Sequence, residues 1–128
     1  MLTTKRALRE DPELYKDIHK ALLKAFYLFE TDHEKSIADI QKYLELDTEV
    51  LEADAYSRYS PNPEINVDAC VDFWDMMNEI GYIDSDLDIT DYLDTSAYDA
   101  AVDEIVEENP DVDFYKEVQK GGYGSNAE

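Results

Sequence analysis

Asp11-Pro12-Glu13-Leu14-Tyr15-Lys16-Asp17-Ile18-His19-Lys20-Ala21-Leu22-Leu23-Lys24-Ala25-Phe26-Tyr27-Leu28-Phe29-Glu30 is the longest amphipathic run in the chain. Asp11 is a helix-capping residue type, and Pro12 suits the first turn because its missing N–H has no helical partner there. Leu14, Ile18, Ala21, Leu22, Ala25, Leu28 and Phe29 then recur at three- and four-residue spacing. That period predicts a helix from Pro12 to about Glu30 with this stripe facing a core.

The same signals continue on either side. Thr4 can cap a short turn over Lys5–Arg9. Thr31-Asp32 opens a second helix carrying Ile37, Ile40 and Leu44, to about Leu46. Asp47-Thr48 opens a third with Val50, Leu51, Ala55 and Tyr59, broken by Ser60-Pro61-Asn62-Pro63. Asn66 or Val67 begins a fourth through Cys70, Val71, Phe73, Trp74, Met77 and Ile80, and Gly81 stops it. Residues Tyr82–Asp94 form an acidic connector. Thr95-Ser96 starts a fifth helix with Tyr98, Val102, Ile105 and Val106, ending at Asn109-Pro110. A last short helix covers Asp113–Lys120. No β alternation or tandem repeat is present. The expectation is an all-α, compact array of about five helices joined by short loops. It forms a single domain over residues 1–120 with a flexible tail at 121–128. The helices Pro12–Glu30 and Val67–Ile80 are expected to supply the central packing, with Phe73 and Trp74 in the core.

Composition limits the partners. The 128 residues are 44% hydrophobic and 34% charged, with 32 acids against 11 bases and a formal net charge of −21. Such a chain repels phosphate backbones and anionic bilayers, which argues against nucleic-acid binding and against membrane association. Cations, basic protein surfaces and neutral apolar surfaces remain. No apolar run approaches the roughly 18 residues needed to cross a bilayer. No signal peptide is visible at Met1–Glu10, so the chain is expected to stay in the cytoplasm, or to be part of a longer exported protein. Cys70 is the only cysteine, which excludes an internal disulfide. It reads as a small buried hydrophobe.

Three stretches together resemble one family. Leu2-Thr3-Thr4-Lys5-Arg6-Ala7-Leu8-Arg9-Glu10-Asp11-Pro12-Glu13-Leu14 is similar to the T-x-x-x-L-x-x-x-P-E-L segment of ABC-transporter substrate-binding proteins. These are the proteins that serve nitrate, sulfonates, taurine and thiamine-pyrimidine precursors. Ala21 and Ala25 match the small-residue stripe of the helix that follows. Ile37, Ala38, Ile40 and Leu44 match the next helix, and Phe73-Trp74-Asp75-Met76-Met77-Asn78-Glu79-Ile80-Gly81-Tyr82-Ile83 resembles the penultimate one. The likeness spans roughly residues 2–107 and corresponds to the C-terminal helical part of such proteins. It implies a component of a solute transport system that acts by association. The ligand lobes of that family lie upstream of this part. Thr3 and Thr4 are the only ligand-contact candidates the resemblance offers. It further implies an apolar helix face that is covered by a second copy or by the N-terminal lobes.

No residue pattern signals catalysis. Ser57, Ser60, Ser85 and Ser96 lack a nucleophile-elbow context, and four glycines are too few for a phosphate loop. Asp84-Ser85-Asp86-Leu87-Asp88 begins like a calcium loop, but Ile89 replaces the turn glycine and Thr95 the closing glutamate. The loop is expected to be solvated, with its aspartates capping the next helix. His19 and His33 fall on different helices and outside any metal motif. No catalytic residue, metal ligand or cofactor is therefore assigned, and the chain is read as a non-enzyme. The ten tyrosines, among them Tyr15, Tyr27, Tyr43, Tyr56 and Tyr59, suit either boundary packing or a binding surface. The second functional reading is an independent acidic adaptor that binds a basic protein, steered by the net charge.

Overall fold

The computed structural model describes residues 1–58 and 61–123, without the side chains of 54–58. Among the described residues there are seven α-helices and no strand: α1 Lys5–Glu10, α2 Pro12–Thr31, α3 His33–Gln41, α4 Thr48–Arg58, α5 Val67–Glu79, α6 Ser96–Glu108 and α7 Asp113–Gln119. A single 3-10 turn, Ile89–Tyr92, lies between α5 and α6.

Local chemistry places most of the boundaries. Thr4 Oγ1 accepts from Ala7 N, Asp11 Oδ1 from Leu14 N, Asp32 Oδ1 from Lys35 N and Asn66 Oδ1 from Ala69 N. Each bond satisfies a donor that has no partner inside its helix. Gly81 takes φ +72, the left-handed conformation that ends α5 at little steric cost. α6 departs from the expected pattern. Thr95 makes no side-chain cap, and Asp94 Oδ1 accepts from Ser96 N instead.

The second helix stops at Gln41, not near Leu46. The N–H groups of Lys42 and Tyr43 turn back to Asp39 and Ile40, and the Gln41 side chain donates to Thr48 Oγ1 at 2.8 Å. That side chain ties the connector to the start of α4, so Tyr43, Leu44 and Leu46 project into solvent.

The core is built by α2, α6 and α7. Leu23 and Phe26 of α2 pack on Tyr98, Ala101, Val102 and Ile105 of α6 and on Phe114, Tyr115 and Val118 of α7. Phe26 meets Phe114 edge-on at 5.1 Å, with Tyr27 beside it. Tyr123, which the sequence places in a tail, packs on Phe26 and Phe114. Asn62 Nδ2 donates to the Tyr123 carbonyl. Residues 124–128 lie outside the described part.

Two expectations about packing are corrected. First, α2 does not turn its richest aliphatic stripe to α6. Lys16, His19, Lys20, Leu23, Phe26 and Tyr27 share the face that meets α6 and α7. Leu14, Ala21 and Ala25 lie on the opposite side and are exposed, as is Leu22 at its edge. The lysines succeed at a core margin because their aliphatic stems cover apolar surface while their ammonium groups reach carboxylates on α6. Phe29 is buried on the flank toward α3, whose Ile37 is also buried. Second, the partner of α2 is α6, not the Val67–Ile80 helix. α5 buries no residue fully and packs chiefly on the 3-10 turn. Phe73 is 59% exposed, Trp74 is half-buried, and Cys70 is a half-buried free thiol, not a core residue.

Truncation should separate these environments. Ile105→Ala removes atoms from a fully closed site and is expected to cost about 2–5 kcal/mol in urea unfolding. Phe73→Ala is expected to stay within roughly 0.5 kcal/mol. Equal losses at the two positions would mean that α5 is part of the core.

Candidate functional site

The α2–α6 seam carries the densest polar arrangement. Lys16 Nζ lies 2.6 Å from Glu104 Oε2 and 2.6 Å from Glu13 Oε2. Lys20 Nζ reaches Glu104 Oε1 and, at 2.7 Å, Glu108 Oε1. The two lysine side chains are only 18% and 12% exposed. Hydrogen bonds from Lys16 and Lys20 hold the Glu104 carboxyl down at about 2. The same bonds raise both lysines, with Glu104 the largest cause in each case. Two ammonium groups thus face three carboxylates and hold two helices together. They leave no free acid or base for chemistry.

Beside them, His19 packs edge-on against Tyr98 with ring centroids 5.8 Å apart. His19 Nδ1 and the Tyr98 hydroxyl are buried without a hydrogen-bond partner among the described residues. Burial lowers the His19 pKa and raises that of Tyr98, since each charged form would lose its solvation. His33 opens α3 at the exposed surface, so the two histidines serve different surroundings. No group of three or more His, Cys, Asp or Glu among the described residues is arranged to hold a metal ion.

Thr3 and Thr4 line a shallow groove of about 310 Å³ with Lys5, Leu8, Arg9, Asp91, Tyr92 and Asp94. Thr3 Oγ1 is 2.6 Å from the Tyr15 hydroxyl, and Thr4 Oγ1 caps α1. Lys5 Nζ sits 4.5 Å from the centre of the Tyr92 ring, and Arg9 Nε donates to the Lys5 carbonyl. The groove thus mixes both signs of charge, and its threonines are already engaged. In the acidic connector, Asp88 accepts from Thr90 N and Oγ1, and Asp94 from Ser96 N and Oγ. These bonds lower both carboxyls. The two aspartates act as caps for the 3-10 turn and for α6.

The surface that stands out is on α5. At 3.6 residues per turn, Asp68, Asp72, Asp75 and Glu79 fall within an arc of about 60°. All four are exposed, and none forms an ion pair among the described residues. Ala69, Phe73, Met76 and Ile80 form a second exposed stripe next to them. Met76 is 45% and Ile80 65% exposed. Cys70, Val71, Trp74, Met77 and Asn78 occupy the remaining, half-buried side. α5 therefore turns a row of carboxylates and a parallel apolar ridge to solvent.

Its setting is uniformly acidic. Residues 59–115 contain 17 acids and no lysine, arginine or histidine. Residues 1–42 hold eight acids and eight bases, so the whole excess of −21 belongs to residues 43–128. Arg6, Lys16, Lys20, Lys35, Lys42, Lys116 and Lys120 are committed to intramolecular ion pairs. Apolar periodicity places this helix in the core and misses the face; the three- and four-residue spacing of Asp68, Asp72, Asp75 and Glu79 is the signal that could have shown it. Of the tyrosines singled out, Tyr15 and Tyr27 are half-buried and Tyr43 is exposed. The side chains of Tyr56, Ser57, Tyr59 and Ser60 lie outside the described residues. No helix among the described residues is long and apolar enough to cross a membrane. No family model matches the chain, and no curated protein sequence or solved structure matches it.

Acid titration tests the seam. Glu104 has a folded pKa below the ordinary value of 4.5, so its contribution is present above that value and fades as pH falls toward about 2. Glu104→Gln should lower stability at about pH 7, and the difference from the unmodified protein should vanish near pH 2. A difference that is constant across this range would show that the carboxylate charge is not what holds the helices.

Proposed function

We propose that this protein is an acidic helical adaptor that binds a basic protein partner and acts through association, not catalysis. The observation that carries this reading is the segregation of charge. Residues 1–42 carry equal numbers of acids and bases, while residues 43–128, which also supply most of the core, present a surplus of carboxylates with few cations to answer them. Folding leaves that surplus exposed, at a cost in self-repulsion that a basic surface would relieve. Long-range attraction of this kind speeds encounter and selects partners by sign. Under the reading as a component of an ABC solute transport system, the exposed face of α5 would instead pack on the rest of a substrate-binding protein. The unanswered row of carboxylates favours a cationic partner over such a lobe.

The test is titration calorimetry with a lysine-rich helical peptide and, separately, with duplex DNA. Binding of the peptide should weaken at least about tenfold between about 50 and 500 mM salt, as screening shortens the reach of the charges. DNA should give no heat. Absence of peptide binding at low salt would remove the adaptor reading.

A second reading rests on α2. Leu14, Ala21, Leu22 and Ala25 form an exposed stripe on a helix that lies within residues 1–42, a stretch with eight acids and eight bases, which favours self-association there. Light scattering should then give a mass above the 14.8 kDa of one chain. The excess should survive high salt and disappear in Leu22→Glu. A monomer under all conditions would eliminate it.

A further inference from the structure

Resting on the adaptor reading, we infer that the exposed face of α5 is the docking surface, and that its occupant is a basic amphipathic helix. The face has two adjoining components that call for two properties in one ligand. The ridge Phe73–Met76–Ile80 loses water contact only against an apolar stripe, and such exposed ridges bounded by polar residues mark interaction sites. The neighbouring row Asp68–Asp72–Asp75–Glu79 runs for about 16 Å at one carboxylate per turn. A partner helix lying along α5 would place its own lysines or arginines at the same repeat. Its apolar side would cover Phe73 and Met76, which is the ordinary manner of helix recognition.

Charge complementarity selects this occupant over a second copy. A copy docking through the same face would bring two carboxylate rows together within a region whose net charge is −21 per chain. An extended polycation would satisfy the carboxylates but leave the ridge wet. Tyr82, just beyond the end of α5, is a further exposed aromatic. α5 buries nothing fully, so the face is open without any rearrangement of the core.

The experiment uses the whole protein and two labelled peptides of identical composition, read by fluorescence anisotropy. One peptide is a leucine–lysine helix with adjoining apolar and basic stripes, and the other is its scramble. The amphipathic peptide should bind at least about tenfold tighter than the scramble, equivalent to roughly 1.4 kcal/mol. Phe73→Ser with Met76→Ser should abolish that preference and leave the scramble unaffected. Asp68→Asn, Asp72→Asn, Asp75→Asn and Glu79→Gln together should flatten the salt dependence. The charge-matched set Asp17→Asn, Glu45→Gln, Glu107→Gln and Asp111→Asn should flatten it much less. Circular dichroism and urea unfolding check each variant, and Phe73→Ser alone replaces the pair if the pair unfolds. Equal binding of both peptides, or α5 variants that bind as well as the unmodified protein, would overturn the α5 site while leaving an acidic adaptor intact. A dimer that Phe73→Ser dissolves would assign the face to a second copy and also overturn the proposal. Failure of the unmodified protein to bind either peptide would end the adaptor reading itself.

Discussion

The contact between α2 and α6 is the constraint from which the rest of the structure follows. Leu23, Phe26 and Ile105 are almost or wholly closed to solvent there, and Lys16 and Lys20 clamp the margin through Glu104 and Glu108. The residues of the Lys20–Glu104 bond are 84 apart in sequence, so the clamp joins the two ends of the chain. Once α6 lies on α2, α7 closes the third side with Phe114, Tyr115 and Val118. The segment between includes α5, which packs chiefly on the 3-10 turn and not on this frame.

That arrangement divides the molecule by charge as well as by packing. Among the cations of the N-terminal part, Lys16 and Lys20 hold helices together through partially sheltered ion pairs, and Arg6, Lys35 and Lys42 pair locally. Little positive charge is left to offset the carboxylates of residues 43–128. Where those carboxylates cap a helix or turn, as at Asp88 and Asp94, their role is structural. Where they stand in register on α5, with no bond of their own and an apolar ridge alongside, folding does not account for them, and recognition of a basic helix is the role we propose for them. The threonine groove is set apart by the same logic, because Thr3 is bonded to the Tyr15 hydroxyl, Thr4 caps α1, Lys5 sits over the Tyr92 ring and Arg9 donates to the Lys5 carbonyl.

Buried polarity at the seam is a cost the fold carries. His19 Nδ1 and the Tyr98 hydroxyl lack partners in an interface that otherwise pairs its charges. Two unsatisfied atoms in one contact reduce its net gain, since each was solvated in the unfolded chain. The edge-on packing of the two rings and the surrounding apolar contacts offset that loss.

The all-α class, the helix starts at Pro12, His33, Thr48, Val67 and Ser96, the stop at Gly81 and the excess of acid were legible in the sequence. Caps act between a side chain and a backbone N–H two or three residues on, so the local sequence carries the information. The end of α3 was less legible, because it depends on the Gln41 side chain reaching Thr48. The face that α2 turns inward was legible only in part. Hydrophobic periodicity favoured Leu14, Ile18, Ala21, Leu22, Ala25, Leu28 and Phe29; of these Phe29 is buried and Ile18 and Leu28 are half-buried, while the side that meets α6 bears Lys16, His19, Lys20, Leu23 and Phe26. The residues that make that side favourable, Glu104, Glu108, Ile105 and Phe114, are far away along the chain. The same reason explains α5: its acidic row was written in the spacing, but only the tertiary structure decided that α6 would occupy the core position and leave α5 outside.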